Sequence, residues 1–272
     1  MPGLFLWVFV LGVGASVGSF LNVCVHRLPD RRSIVRPGSA CPACGHPIAW
    51  HDNIPLLSYV LLRGRCRHCR ARISPRYPLV EAATALLFAL LFARHGLSPE
   101  FVLQALLSAA LIALILIDAR HQLLPNAITL PGIALGLVTS PLRADAAARP
   151  VRESLLGCAF GFAIPFTINA CYLLWQAARG VPKDRREDGI GQGDFKLLAM
   201  IGAFLGLKLL LFTLFVGAIS GALYGVAMIL FRGYGWKSKL PYGVFLGGAA
   251  LLALFVGDSS VEWYARLLGI VR

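Results

Sequence analysis

LLLFTLFVGAISGALYGVAMILF, residues 209–231, decides the fold: it carries no formal charge from end to end. About 18 apolar residues in a row are enough to cross a bilayer's hydrocarbon core. The rest of the chain repeats the pattern. Residues 1–26 hold no charge before Arg27, and 121–142, 154–178 and 240–257 are uncharged throughout. Residues 101–117 fall just short. Two weaker runs complete the set. Residues 79–93 contain Glu81, and 195–212 carry Lys196 and Lys208 near the ends, where long basic stems reach back to water. Hydrophobic residues make up 57% of the chain and charged residues 14%, against about 25% charged in soluble domains. The reading is an all-α polytopic membrane protein with about eight transmembrane helices. A soluble globule is excluded.

The N-terminal run, 1–25, reads as the first transmembrane helix. A cleaved signal peptide fits less well, because no basic segment precedes the run and no cleavage site precedes Asn22. Gly12, Gly14, Gly18 and Ser19 suit close packing of helices. They do not suit a phosphate loop, since no strand leads into them.

The net charge of +13 would point a soluble protein toward nucleic acid. Here the bilayer explains it, and no nucleic-acid partner is expected. With the N-terminus outside the cytoplasm, alternate loops place nineteen Lys and Arg on the cytoplasmic side and seven on the other. That asymmetry follows the positive-inside pattern.

Residues 26–78 form the one sizeable polar segment, too short and too polar to build its own core. It contains Cys41-Pro-Ala-Cys44 and Cys66-Arg-His-Cys69. Two such pairs at this separation match a structural zinc site of four sulfurs, whose ligation supplies the missing folding energy. Two disulfides or free thiols are the alternative, and a reducing cytoplasm disfavours the disulfides. His46, His51 and His68 lie near enough in sequence to compete as ligands. Arg65, Arg67 and Arg70 favour thiolate at the second pair. Cys24, Cys158 and Cys171 sit in apolar runs and read as packing residues.

Two aspartates stand at the ends of apolar spans. Asp118 ends the run 111–117, and Asp194 closes Gly191-Gln-Gly-Asp194 and opens the next span. An acid at membrane depth costs about 2.5–3.5 kcal/mol on insertion scales. The span directions put both at the cytoplasmic face and at similar depth. Two carboxyls so placed suit an aspartic-protease dyad, which shares one proton and activates water. Gly191 and Gly193 permit close approach of a substrate backbone. The alternative is a pair of helix-end acids neutralised by Arg120 and Lys196. The helix dipole favours an anion at Asp194, on a helix N-terminus, and disfavours one at Asp118, on a C-terminus. This assigns the proton to Asp118.

At these residues the chain resembles the bacterial prepilin peptidases, the bifunctional leader peptidase/N-methyltransferases. The matching stretches are Gly18-Ser-Phe-Leu-Asn-Val23 with Arg27-Leu-Pro29; the two Cys-x-x-Cys pairs; Ser74-Pro-Arg-Tyr-Pro-Leu-Val-Glu81; Asp118 with Leu124-Pro-Asn126; Gly191-Gln-Gly-Asp-Phe-Lys196; and Pro241-Tyr-Gly243. The resemblance implies a GxGD aspartyl protease with Asp118 and Asp194 as catalytic pair, supported by Gly191, Gly193 and Lys196. It implies cleavage of a basic leader from prepilins and pseudopilins at the cytoplasmic face of the bacterial inner membrane. It also implies S-adenosylmethionine-dependent methylation of the new N-terminal residue, through a donor pocket that no motif marks. Residues 26–78 would be the cytoplasmic tetracysteine segment associated with methylation, and 79–272 the peptidase domain. Asn126 stands where many relatives have aspartate. Two other classes compete: a proton-coupled transporter, which would want acids near the bilayer midplane, and a non-catalytic scaffold whose zinc loop docks an assembly ATPase.

Overall fold

The computed structural model describes residues 3–142, 150–233, 240–267 and 269. Arg143, Arg149, Lys237, Lys239 and Arg272, which enter the charge count, lie outside them. Nine α-helices are present among the described residues: α1 Leu4–Arg27, α2 Leu57–Leu61, α3 Arg76–His95, α4 Pro99–His121, α5 Asn126–Val138, α6 Pro150–Ala178, α7 Gln192–Arg232, α8 Tyr242–Leu252 and α9 Asp258–Leu267. The chain divides into two compact units, residues 1–113 and 114–272.

Among the described residues, six helical stretches are long and apolar enough to cross a membrane: α1, α3, α4, α6, α7, and α8 continued into α9. The protein is therefore a multi-pass membrane protein. The expectation of about eight spans differs from this count at one short run and at one element counted once. The uncharged run 121–142 yields only the 13-residue α5, about 20 Å long. Pro125 stops helix propagation just before it. The expected spans 195–212 and 209–231 correspond to the two arms of the 41-residue α7, which breaks at Gly206 (φ 77°, ψ 177°).

That break is a reversal. A Cβ at Gly193 or at Gly243 would press on Leu124, so α7 starts beside the start of α8. Beyond the break, Gly257 packs against Leu209, Gly217 against Leu246, and Gly221 against Phe245 and Tyr242. The second arm, 207–232, thus runs antiparallel to α8 and returns toward the level where the first arm, 192–205, began. Only glycine adopts the Gly206 geometry at low cost.

Small residues also set the packing elsewhere. In the first unit, α1 lies antiparallel on α3. A Cβ on Gly14 would stand 2.7 Å from Ala85 Cα, and one on Gly18 2.7 Å from Glu81 Cα. Trp7 meets Phe92 edge to face at 5.0 Å. Gly14 and Gly18 meet the expected packing role, whereas Gly12 has nothing within 4 Å of a Cβ. In the second unit, Gly157 of α6 and Gly202 of α7 bring their backbones into direct contact, with Gly161 against Leu198 one turn away. Helices cross this closely only where side chains are absent.

The polar segment is two similar turns. In the first, Cys41 N–H donates to His46 O at 2.9 Å and Gly45 N–H to Cys41 O at 2.8 Å. In the second, Cys66 N–H donates to Ala71 O at 2.9 Å and Arg70 N–H to Cys66 O at 3.1 Å. The fifth residue of each turn, Gly45 or Arg70, takes positive φ. The segment is tied to the helices by buried Glu81, whose Oε2 accepts Leu56 N–H at 2.8 Å.

Candidate functional site: a paired-aspartate centre and a tetracysteine cluster

Asp118 sits in the last turn of α4 and is 5% exposed. Its Oδ2 accepts the backbone N–H of Val244 at 3.1 Å. Val244 is the third residue of α8, so the N-terminus of that helix points at Asp118. The glycine beforehand makes this approach feasible: a Cβ on Gly243 would stand 2.9 Å from Asp118 Oδ2. Asp194 lies in the first turn of α7, where its N–H donates to Gly191 O at 3.0 Å. A Cβ on Gly191 would be 3.2 Å from Asp194 Oδ2, and one on Gly193 2.9 Å from Leu124 Cβ. Leu124 therefore wedges between Gly193 and Gly243. The start of α7, which carries Asp194, and the start of α8, which meets Asp118, therefore adjoin through this leucine.

Each carboxyl thus faces a helix N-terminus, Asp194 that of α7 and Asp118 that of α8. The dipole asymmetry expected from Asp118's place on α4 is offset by α8, and it no longer assigns the shared proton to Asp118. The neutralising cations also fail to appear. Lys196 Nζ donates to Asn126 Oδ1 at 2.8 Å. Among the described residues, no ion pair involves Asp118 or Asp194. Phe195 packs on Phe166 at 6.2 Å. From that level α6 continues twelve residues to Ala178, about 18 Å. The carboxyls are thus recessed beneath the end of this helix, whose flank there bears exposed Leu174 and Trp175.

The second cluster lies in the first unit. The Sγ atoms of Cys41, Cys44, Cys66 and Cys69 all lie within 4.8 Å of one another, with Cys41 and Cys69 at 3.8 Å. A tetrahedral metal with bonds of about 2.3 Å requires sulfurs about 3.8 Å apart, so the donor set fits one metal ion. All seven cysteines are free. His46 and His68 stand outside the ligand set, their rings against each other at 3.4 Å and tilted by 36°. The backbone N–H groups of Cys44 and Ala43 draw the Cys41 thiol down to about 6. Cys69 is drawn down by the Ala71 N–H, but burial and the neighbouring thiols prevail and push it up to about 11. The Cys41 sulfur is thus favoured as a thiolate, with the other three sulfurs gathered around it. Arg67 holds the segment from outside through a bidentate pair with Asp52 and keeps that carboxyl below its ordinary value.

Sequence reasoning missed the contribution of α8, although Pro241-Tyr-Gly243 marked the place. It also missed Asn169 and Gln176, two polar side chains inside apolar α6, whose partners are far away in sequence.

Residues 13–95 match the family model of the bacterial peptidase A24 N-terminal domain, and residues 105–226 that of the type IV leader peptidase family. The chain is similar to the prepilin leader peptidase/N-methyltransferase of Pseudomonas aeruginosa, 37% identical over 94% of this chain and 92% of that one. It is 42% identical to the protein of the same name from Myxococcus xanthus, over 86% of this chain and 67% of that one. The Aeromonas hydrophila protein of that name is 36% identical over 91% of this chain and 90% of its own. No solved structure matches. With this likeness running along nearly the whole chain and both family models matched in order, the protein belongs to the type IV leader peptidase family.

Proposed function

We propose that this protein cleaves the leader peptide of type IV prepilins and pseudopilins and N-methylates the new N-terminal residue, with Asp118 and Asp194 as the peptidase pair. The observation that supports the reading is the packing of Gly243 against Asp118 Oδ2 and of Gly191 against Asp194 Oδ2, with Leu124 between Gly193 and Gly243 joining the starts of α7 and α8. One carboxylate takes a proton from water as its oxygen attacks the scissile carbonyl carbon. The other gives its proton to the carbonyl oxygen. Collapse of the adduct breaks the C–N bond, and the proton passes to the leaving amine. The ends of α7 and α8 stabilise the shared negative charge. Lys196 supports the site by tying the start of α7 to Asn126 of α5.

The tetracysteine cluster suits zinc, and four sulfurs leave no open position, so the metal is structural. When bound, it supplies the folding energy of a segment without a core. S-adenosylmethionine is the donor that fits the second activity, and it supplies an electrophilic methyl group. Two clefts of 390 and 400 Å³ flank the cysteine segment in the first unit, within the size range of small-molecule sites. The second is lined by Arg63, Arg65 and Arg72, which suit a carboxylate. Functionally, residues 1–25 anchor the chain, 26–78 form the methyltransferase-associated segment, and 79–272 carry the peptidase. The charge asymmetry supports an N-terminus in the periplasm and a cysteine segment in the cytoplasm, and the proposed substrates fit helices in the bacterial inner membrane.

Incubating the purified protein with a prepilin in detergent, with and without S-adenosylmethionine, tests the reading. Mass spectrometry should show clipping in both samples and one added methyl group only with the donor. An intact substrate in both samples would refute it.

A further inference from the structure

One face of α6 presents Asn169, Tyr172 and Gln176 to the chain segment 187–190, which leads into Asp194. Each amide is 7% exposed, and an unpaired amide at such depth is costly. Here the segment satisfies both. Gln176 Nε2 donates to Glu187 O at 2.9 Å, and its Oε1 accepts Glu187 N–H at 3.3 Å. The side chain thus pairs with one residue's backbone as a neighbouring strand would. Asn169 Oδ1 accepts two N–H groups, from Gly189 at 2.8 Å and Ile190 at 3.3 Å, while its Nδ2 donates to Asp188 Oδ1 at 2.9 Å. Between the amides, the Tyr172 ring lies against Gly189, where a Cβ would stand 2.9 Å from Cδ1. Gly191 follows directly as the N-cap of α7.

We propose that Asn169 and Gln176 are positioning residues for hydrolysis: their side-chain amides clamp residues 187–190 onto α6 and so fix where Asp194 stands. This rests on the reading of Asp194 as catalytic. The clamp acts on three N–H groups on the N-terminal side of that acid, outside α7's own hydrogen bonding. Neither amide touches substrate. Their effect passes through the three residues between Ile190 and Asp194. A displaced catalytic group costs about 10²-fold in rate per ångström, so the loss should appear in kcat rather than KM.

The test is prepilin clipping by the full-length protein in detergent, with kcat, KM and the pH–rate profile measured for D194N, N169A, N169D and N169D/D188N. The N169D change sets two carboxylates against each other. Adding D188N restores one donor and one acceptor, with the carboxylate introduced on α6 accepting the Gly189 and Ile190 N–H groups as the Asn169 amide oxygen did. We expect N169A to lose about 10²-fold in kcat with KM unchanged and a displaced acid limb. We expect N169D to be at least as impaired and N169D/D188N to recover most of the rate. A merely structural role would lower the amount of folded enzyme without moving the pH profile. A D194N protein that still clips overturns the paired-aspartate reading itself. An inactive D194N beside an N169A of wild-type kcat, or a double variant no better than N169D, overturns the clamp alone.

Discussion

Gly243 is the residue on which Asp118 most visibly depends. A methyl there meets Asp118 Oδ2 at 2.9 Å, Asp118 Cγ at 3.1 Å and Leu124 Cδ2 at 3.1 Å. The carboxylate cannot simply turn away, because Val244 N–H holds it. G243A should therefore reduce clipping by about 10²-fold, the order expected for a catalytic group moved by an ångström. Gly248, in the same helix, has open space where its Cβ would go, and G248A should clip like wild type. Equal rates for the two variants would show that α8 has no part in placing Asp118. The importance of Gly243 was half legible in Pro241-Tyr-Gly243, a motif with no chemistry of its own. Its meaning appears only when α8 is seen to start against an aspartate from another helix.

At the scale of elements, α7 carries most of the architecture. Its first arm presents Asp194 and packs its backbone against α6, and its second arm returns along α8. The two overlapping apolar runs, 195–212 and 209–231, already hinted at two passes. Nothing in their composition singled out Gly206 among the several glycines nearby. The choice is made by φ 77° and ψ 177°, a region that costs a residue with a Cβ about 1–3 kcal/mol. A Cβ there would find ordinary van der Waals space, with Glu153 Cβ at 3.4 Å, so backbone strain is the dominant penalty. G206A should accordingly lower the thermal midpoint in detergent while the clipping rate per folded molecule stays near wild type. A midpoint equal to wild type would mean that the reversal is not built on this glycine. The case of α5 is the converse. The run 121–142 looked long enough to span, and Pro125 cuts it to 13 residues.

For the molecule as a whole, the two centres fall in different units, the cysteines in residues 1–113 and the aspartates in 114–272. Losing the metal should therefore affect the two activities unequally. C69S should abolish zinc binding and open residues 41–73 to protease. Methylation should be lost, while most clipping is retained. Clipping lost in parallel with methylation would show that the peptidase needs the cysteine segment. Metal affinity should also fall with acid. Cys41 ionises at about 6, so its thiolate is available above that value and is lost as pH drops through it. Protons then displace the metal. Zinc titrations should give tighter binding at pH 8 than at pH 6, and equal binding would exclude these thiolates as ligands. The Asp52–Arg67 pair adds its support above the ordinary carboxylate value and loses it only as pH falls through Asp52's lowered one. The cysteine cluster was legible because metal ligands announce themselves by spacing. The aspartates were legible because charge is rare in apolar runs. Asn169 and Gln176 stayed hidden because their meaning lies in backbone groups that only the fold brings to them.

The most direct measurement is single-turnover clipping of a prepilin by D118N and D194N, with methylation of a pre-cleaved pilin by the same preparations as the control for folding. Each variant should lose at least about 10³-fold in clipping and keep methylation near wild type. Clipping at wild-type rate by either variant, with its partner aspartate left to act alone, would contradict the account.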